Sequence, residues 1–349
     1  MGCDKRIALP SKVCMNDHLA TTKQLLNQWG AGREPFLFLA DFELEQVQAF
    51  RVKDLDPAEL RFQFQSAAAQ QVTSSTPLEW SAHYPSADRY AKAFSIVQDG
   101  LQRGDSFLLN LTFPSELKCN WSLEEIYHAT DARYKLWWKD HFGVFSPETF
   151  VKIKDGRIYS YPMKGTLPGH LPVDLLLNDP KEQAEHATIV DLIRNDLSQV
   201  AHKVQVANYR YAEHIATAKG GLWQTSSEIS GELPTNFQQQ LGDLLFRLLP
   251  AGSISGAPKT ETVRIIQRAE GQKRGFYTGI AAYWDGYQLD SCVLIRFIEK
   301  SPNGLRYWSG GGITAYSNVE EEYKELKEKV YLPLNAAYQA PLAFAASFE

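Results

Sequence analysis

Phe150-Val-Lys-Ile-Lys-Asp-Gly-Arg-Ile-Tyr-Ser-Tyr-Pro-Met-Lys-Gly-Thr166 is the stretch around which the chain is organised. Apolar and polar residues alternate on both sides of Asp155-Gly156, a dipeptide suited to a tight hairpin turn. Residues 150–159 therefore predict two strands joined at that point. Pro162 fixes its own φ and biases Tyr161 towards an extended backbone, while Gly165 leaves the chain free to turn. Lys164 then sits at a strand end, where a rigid scaffold can aim a side chain. Locally, such a lysine is either a solvated surface amine or, where its surroundings hold it neutral, a nucleophile or anion clamp. The rest of the chain decides between them.

With 349 residues, 44% apolar and 12% aromatic, the chain can bury a large core in one domain or two. A formal charge of −5 gives no electrostatic footprint for nucleic acid or an anionic membrane, so the cations facing an anionic substrate must be local. Cys3, Cys14, Cys119 and Cys292 lie far apart and form no CxxC pair, which argues against a disulfide framework or a cysteine zinc site. No apolar run approaches the ~20 residues of a membrane span. The first residues carry neither a myristoylation signal nor a signal-peptide core. The expectation is a soluble, cytoplasmic protein.

Residues 36–42 read as a buried strand and 47–52 as a second; residues 63–71 and 73–77 read as a loosely held connection. Tyr90, Phe94, Val97 and Leu101 share one helical face, which Gly104 ends, and residues 107–113 form a strand with Asn110 at its middle. An asparagine there satisfies a neighbouring backbone group or meets a ligand. Ser122 and Glu125 form a capping box for a helix whose body runs from Glu124 to Trp138. Glu148, behind Pro147 in an apolar context, is an ordinary turn carboxylate or a general acid with a pKa raised by burial.

Lys181–Leu197 predicts a helix with Pro180 near its first position, and a second helix begins at about Val319. Glu182 and Glu185 share a face of the first; Glu322, Glu325 and Lys329 share a face of the second. Such ExxE pairs are either solvated faces or the two sides of a hard divalent cation. Mg²⁺ needs only one or two carboxylates beside water and substrate oxygens. Residues 250–259 are a small-residue loop opening a helix over 260–268. Its backbone N–H groups suit a carboxylate or phosphate, although the GxxxxGK[ST] spacing is absent. Arg296, read as lying inside the apolar strand 292–298, should be paired or bind an anion. Gly310, Gly311 and Gly312 let backbone approach a ligand closely.

Seven segments in this order resemble the chorismate-utilising enzymes, over about residues 84–330. They are Gly104-Asp105 with Asn110-Leu111; Ser146-Pro-Glu148; Pro162-Met-Lys-Gly-Thr166; Glu185 with Ile189-Val-Asp-Leu-Ile-Arg-Asn-Asp-Leu197; Gly252-Ser-Ile-Ser-Gly-Ala-Pro-Lys259; Arg274-Gly-Phe-Tyr-Thr-Gly279; and Gly310-Gly-Gly-Ile313 with Glu322-Tyr-Lys-Glu325. The resemblance implies an α+β fold: two large, mainly antiparallel sheets packed as a sandwich, with helices outside. It also implies one chorismate-binding domain over 1–349, with 1–80 a shortened N-terminal part and 84–330 the catalytic region.

For the site, the resemblance implies Mg²⁺ held by Glu185 and Glu325, with Glu182 and Glu322 bridging through water. It implies substrate contacts from Asn110, Gly165, Thr166, Ser253, Tyr277, Arg296, Gly310, Gly311, Gly312 and Lys329, and a general acid at Glu148. Lys164 in P-x-K-G-T, together with Asn110, is similar to the aminodeoxychorismate synthase branch, whose component I aminates chorismate at C4; anthranilate synthases carry a small residue there. Lys164 would then be the nucleophile, with Mg²⁺ and Lys329 helping to lower its pKa. No cysteine has the GxCxG setting of a glutamine amidotransferase, so ammonia would come from a separate amidotransferase subunit, component II. Leu108 stands where the family usually has Gln, and Gln224 where it has His. The short N-terminal part shows no tryptophan-binding motif.

Overall fold

Asp155 and Gly156 both take positive φ, 52° and 72°, the conformation that a two-residue hairpin turn needs to match strand twist. The structure is a computed structural model describing residues 15–64, 77–215, 221–256, 258–332 and 334. The sequence readings at Cys3, Cys14 and Ala257, and most of the 63–77 connection, lie outside those residues.

The strands in chain order are β1 (Phe36–Ala40), β2 (Val47–Arg51), β3 (Leu60–Phe64), β4 (Trp80–His83), β5 (Leu109–Cys119), β6 (Tyr134–Trp138), β7 (Phe142–Ser146), β8 (Thr149–Lys154), β9 (Arg157–Ser160), β10 (Met163–Pro168), β11 (His202–Ile215), β12 (Leu222–Glu232), β13 (Ile280–Trp284), β14 (Leu289–Val293), β15 (Phe297–Ser301) and β16 (Gly304–Ile313). The helices are α1 (Met15–Ala31), α2 (Ala87–Gln102), α3 (Leu123–Ala129), α4 (Asp174–Leu177), α5 (Pro180–Ser198), α6 (Leu241–Leu248), α7 (Gly252–Ser255), α8 (Lys259–Glu270) and α9 (Val319–Glu328).

The strands form two antiparallel sheets. One, of nine strands, runs β10-β12-β9-β8-β14-β13-β1-β2, with β11 also paired to β12; the other, of seven, runs β3-β6-β7-β15-β16-β5-β4. Leu37, Leu39, Ala281 and Cys292 of the first meet Tyr134, Leu136, Val144, Phe297 and Trp308 of the second in one buried layer. Alternation along each strand sends the other residues outward against helices. Leu26, Ile189, Ile193 and Leu245, from α1, α5 and α6, pack on the outer face of the nine-stranded sheet. On the seven-stranded sheet, α2, α8 and α9 cover β5 through Val97, Ile265 and Leu326, and α3 packs Ile126 against Trp137 and Phe145. The fold is the α+β sandwich with helices outside. Among the described residues no helix is long and apolar enough to cross a membrane.

Three local expectations are corrected. The Ser122–Glu125 capping box forms, but its helix ends at Ala129, and Tyr134–Trp138 is strand β6 rather than helix body. Aromatic residues suit a pleated strand, and here Tyr134 and Leu136 enter the layer between the sheets while Trp137 faces α3. Arg296 is not inside a strand: it lies between β14 and β15, at φ 52°, where the chain crosses from one sheet to the other. The apolar run 292–298 is thus two strand ends joined by a left-handed residue. The strand expected over 107–113 begins instead at Leu109, leaving Phe107 67% exposed and Asn110 near the strand's start.

Candidate active site

Lys164 is the second residue of β10, and the pairing with β12 slips at the next position: Lys164 faces Thr225 and Thr166 faces Gln224, with Gly165 bulged out at φ 80°. The Lys164 carbonyl accepts a hydrogen bond from Thr225 Oγ1, which anchors the bulge. A Cβ at Gly165 would stand 2.5 Å from Glu182 Oε2 and push that carboxylate aside, and the positive φ of the bulge itself favours glycine. Helix α5 starts behind Asp179, whose carboxylate accepts from the Lys181 and Glu182 amides, with Pro180 in its first turn. That start places Glu182 and Glu185 one turn apart facing β10, and Lys164 Nζ lies 2.7 Å from Glu185 Oε2.

The opposing wall comes from β16 and α9. Asn318 caps α9 by accepting from the Glu320 and Glu321 amides. Gly310, Gly311 and Gly312 pair with Thr112, Leu111 and Asn110 of β5. A Cβ at Gly311 would lie 3.0 Å from Glu325 Oε1 and 3.2 Å from Glu322 Oε2. One at Gly312 would lie 3.2 Å from Asn110 Oδ1 and 3.7 Å from Lys164 Nζ. Lys164, Asn110 and both glutamate pairs therefore gather around the glycine run, with backbone at its centre.

Lys329, just past α9, donates from Nζ to the Gly310 carbonyl (3.0 Å) and pairs with Glu325 (2.5 Å). Arg296 donates to the Lys329 carbonyl (3.2 Å) and lies over the Tyr331 ring. Its Nε is buried with no hydrogen-bond partner among the described residues. Tyr277 is buried, its ring stacked on Trp308 at 5.1 Å. Glu148 follows β7; its Oε1 accepts from Ser253 Oγ on α7 at 2.7 Å. Ser253, expected on substrate, is thus a hydrogen-bond donor to the candidate acid. Both line a small cavity with Tyr161 and Pro162, the residues that lead into Lys164.

The charges follow from this crowding. Burial raises the Glu148 pKa against the opposing pull of the Ser253 hydrogen bond, Lys329 and Arg296, so its carboxyl keeps a proton to higher pH than usual. Burial, then the neighbouring Glu185 charge, raises Glu182. Burial also raises Glu322. At Glu325 burial is the largest effect and acts upward, but Lys329, Lys164 and Lys181 together outweigh it and the net shift is down. Burial disfavours the Lys164 ammonium, yet Glu185, Glu182 and Glu325 more than compensate and its pKa is raised. The expected lowering of Lys164 by Lys329 is therefore not what the protein's own residues produce; the glutamates face it more closely.

The four glutamates can be tested as a seat for a hard cation. Among the described residues no three His, Cys, Asp or Glu side chains converge tightly enough to cage a metal by themselves. Two facing carboxylate pairs nevertheless fit an ion that takes few protein ligands and fills the rest with water and substrate oxygens. Glu182 Oε2 is buried without a hydrogen-bond partner among the described residues, and Glu185 already draws a cation, the Lys164 ammonium. The donor set suits Mg²⁺.

Sequence reasoning quoted Arg274 but gave it no role, and missed Glu270. The Arg274 guanidinium grips Glu270 through two hydrogen bonds (2.6 and 2.9 Å) and donates to the Asn110 carbonyl at 2.7 Å. Glu270 also accepts from the amide and hydroxyl of Thr112, both at 2.9 Å. This buried pair fixes the start of β5 and the segment carrying Tyr277. The available signal was the i,i+4 spacing of the two residues across Gly271.

A family model described as chorismate binding enzyme matches residues 10–335. The chain is 50% identical over 316 residues to an uncharacterized PabA-like protein of Haemophilus influenzae, covering 89% of this chain and 96% of that one. It is 29% identical over 320 residues to aminodeoxychorismate synthase component 1 of Salmonella typhimurium, covering 86% and 68% respectively. Anthranilate synthase component I of Streptococcus pneumoniae has a structure similar with a TM-score of 0.61 and 27% identity, over 73% of this chain and 59% of that one. The match over 10–335, on a chain whose sheets bring these motifs together, means that the protein belongs to the chorismate binding enzyme family.

Proposed function

We propose that the protein is the chorismate-aminating component of an aminodeoxychorismate synthase, forming 4-amino-4-deoxychorismate through a covalent adduct on Lys164. The observation that carries the reading is Lys164 Nζ, 2.7 Å from Glu185 and close to Asn110 across the glycine run of β16. Chorismate has a C1 carboxylate, an enolpyruvyl ether at C3 and a hydroxyl at C4. Bound between Glu185 and Glu325, Mg²⁺ would supply a Lewis acid for the C1 carboxylate and occupy the carboxylate that otherwise pairs with Lys164. Arg296, its buried Nε still lacking an acceptor among the described residues, would take the enolpyruvyl carboxylate, with Tyr277 beside it.

Neutral Lys164 attacks C2, the ring double bonds shift, and the C4 hydroxyl leaves as water with the proton of Glu148. Ammonia then adds at C4, the double bonds return, the bond from C2 to Lys164 breaks with the neutral amine as leaving group, and the new ammonium nitrogen gives its extra proton back to Glu148. Two displacements account for retained stereochemistry at C4. In the cell, ammonia would reach the site from a glutamine amidotransferase subunit; free ammonium should replace it in the test tube.

A second reading is the anthranilate synthase reaction, favoured by the structural match to that enzyme. It ends in loss of pyruvate. Mass spectrometry of the product from chorismate, Mg²⁺ and ammonium separates the two: aminodeoxychorismate with no pyruvate supports the proposal, anthranilate with pyruvate overturns it, and no turnover leaves a chorismate-binding subunit without catalysis.

A further inference from the structure

Lys135 is a lysine on the outward face of β6, only 5% exposed, on the opposite side of the strand from the layer between the sheets. Its ammonium donates to the Thr130 carbonyl (2.8 Å) and lies 4.6 Å from the centre of the Tyr127 ring. Among the described residues no carboxylate lies within ion-pair distance of it; exposed Asp131 attracts it only from farther off. A buried ammonium without a close counter-ion is costly, and a bound anion would offset that cost.

The surroundings point the same way. Lys135 lines a cleft of about 420 Å³ with Arg61, His128, Tyr127 and Leu60. Arg61 lies over Trp137, pairs with Glu124 at 2.8 Å and meets His128 at 2.8 Å. Arg61 and Lys135 thus line one cleft, the first paired with Glu124 and the second with only the longer-range attraction of Asp131. The cleft is formed by β3, β6 and α3, at the edge of the seven-stranded sheet, with β7 and β15 between it and the glycine run of β16.

We propose that this cleft is a second anion site, taking a small oxyanion such as a phosphate or a carboxylate between Lys135 and Arg61. Neither the metal seat nor Lys164 takes part, so the site stands or falls independently of the proposed reaction. The wild-type protein is titrated with inorganic phosphate and, separately, with acetate, against sodium chloride at matched ionic strength, followed by thermal unfolding and calorimetry. The expected result is a saturable rise in Tm of a few degrees with one of the two anions, which also tells a phosphate from a carboxylate ligand.

Lys135→Met should weaken that binding at least tenfold while keeping the fold, and Arg296→Met should leave it intact. If Lys135→Met does not fold, Arg61→Gln, at a partly exposed position, carries the same expectation. No saturable effect from either anion overturns the proposal. So does binding that survives Lys135→Met or Arg61→Gln, or binding lost only in Arg296→Met, which would locate the anion at the catalytic site.

Discussion

Lys164 and Glu185 meet at 2.7 Å, from the bulged strand β10 and the second turn of helix α5. That contact joins the two halves of the proposed chemistry, since the carboxylate that would hold the cation is also the counter-ion of the would-be nucleophile. Lys164→Ala should lower ammonium-dependent turnover of chorismate by at least ~10³, with little change in Mg²⁺ binding. Amination at the wild-type rate would remove the lysine from the reaction.

Glu148→Gln keeps an acceptor for Ser253 but has no proton to give. A fall in kcat of ~10² with a nearly unchanged KM is expected. Because burial raises the Glu148 pKa, the protonated acid persists through the acidic range and is lost as pH rises through that raised value. The wild-type rate should therefore drop on the alkaline side, and this limb should vanish in the variant when pH profiles are compared.

Gly311→Ala places a methyl group 3.0 Å from Glu325 and 3.2 Å from Glu322. The carboxylates must give way, so about tenfold more Mg²⁺ should be needed for half-maximal turnover, and EDTA should inactivate the variant at lower concentration than the wild type. Unchanged Mg²⁺ dependence would separate α9 from the metal seat.

The Arg274–Glu270 pair is buried and shares its hydrogen bonds with Asn110 and Thr112. Glu270→Gln strands the guanidinium charge and should cost ~3–5 kcal/mol in denaturant unfolding. Replacing both residues by apolar side chains of similar volume should recover much of that loss. Equal losses in the single and double variants would refute this account.

Asp41, only 2% exposed at the end of β1, accepts from the Gln46 amide (2.8 Å), and burial pushes its pKa up to about 7. The folded state holds this proton more tightly than the unfolded chain. Its stabilising contribution is complete below the ordinary value of 3.8 and is lost as pH rises to about 7. Asp41→Asn should flatten the fall of Tm with pH across that window; a slope equal to the wild type would count against it.

Local chemistry was the legible part of this chain. Asp155-Gly156 specified a hairpin, Ser122 with Glu125 a cap, and Asp179-Pro180 a helix start, because each is decided within a few residues. Tyr134–Trp138 was misread because its strand character depends on β3 and β7 flanking it, which no window around α3 contains. Arg296 was misplaced for a related reason: an apolar run does not reveal where the chain changes sheets. The glutamate faces were visible as spacing, but that Gly311 serves Glu325 while Gly312 serves Lys164 follows only from the register of β16 on β5.

Arg296 occupies the seam where β14 of one sheet hands the chain to β15 of the other. A ligand gripped there is tied to both halves of the sandwich at once. Substrate held at Arg296, as proposed, would act like a rivet through two plates: it would resist any slippage of one sheet over the other, however far from the chemistry that slippage begins.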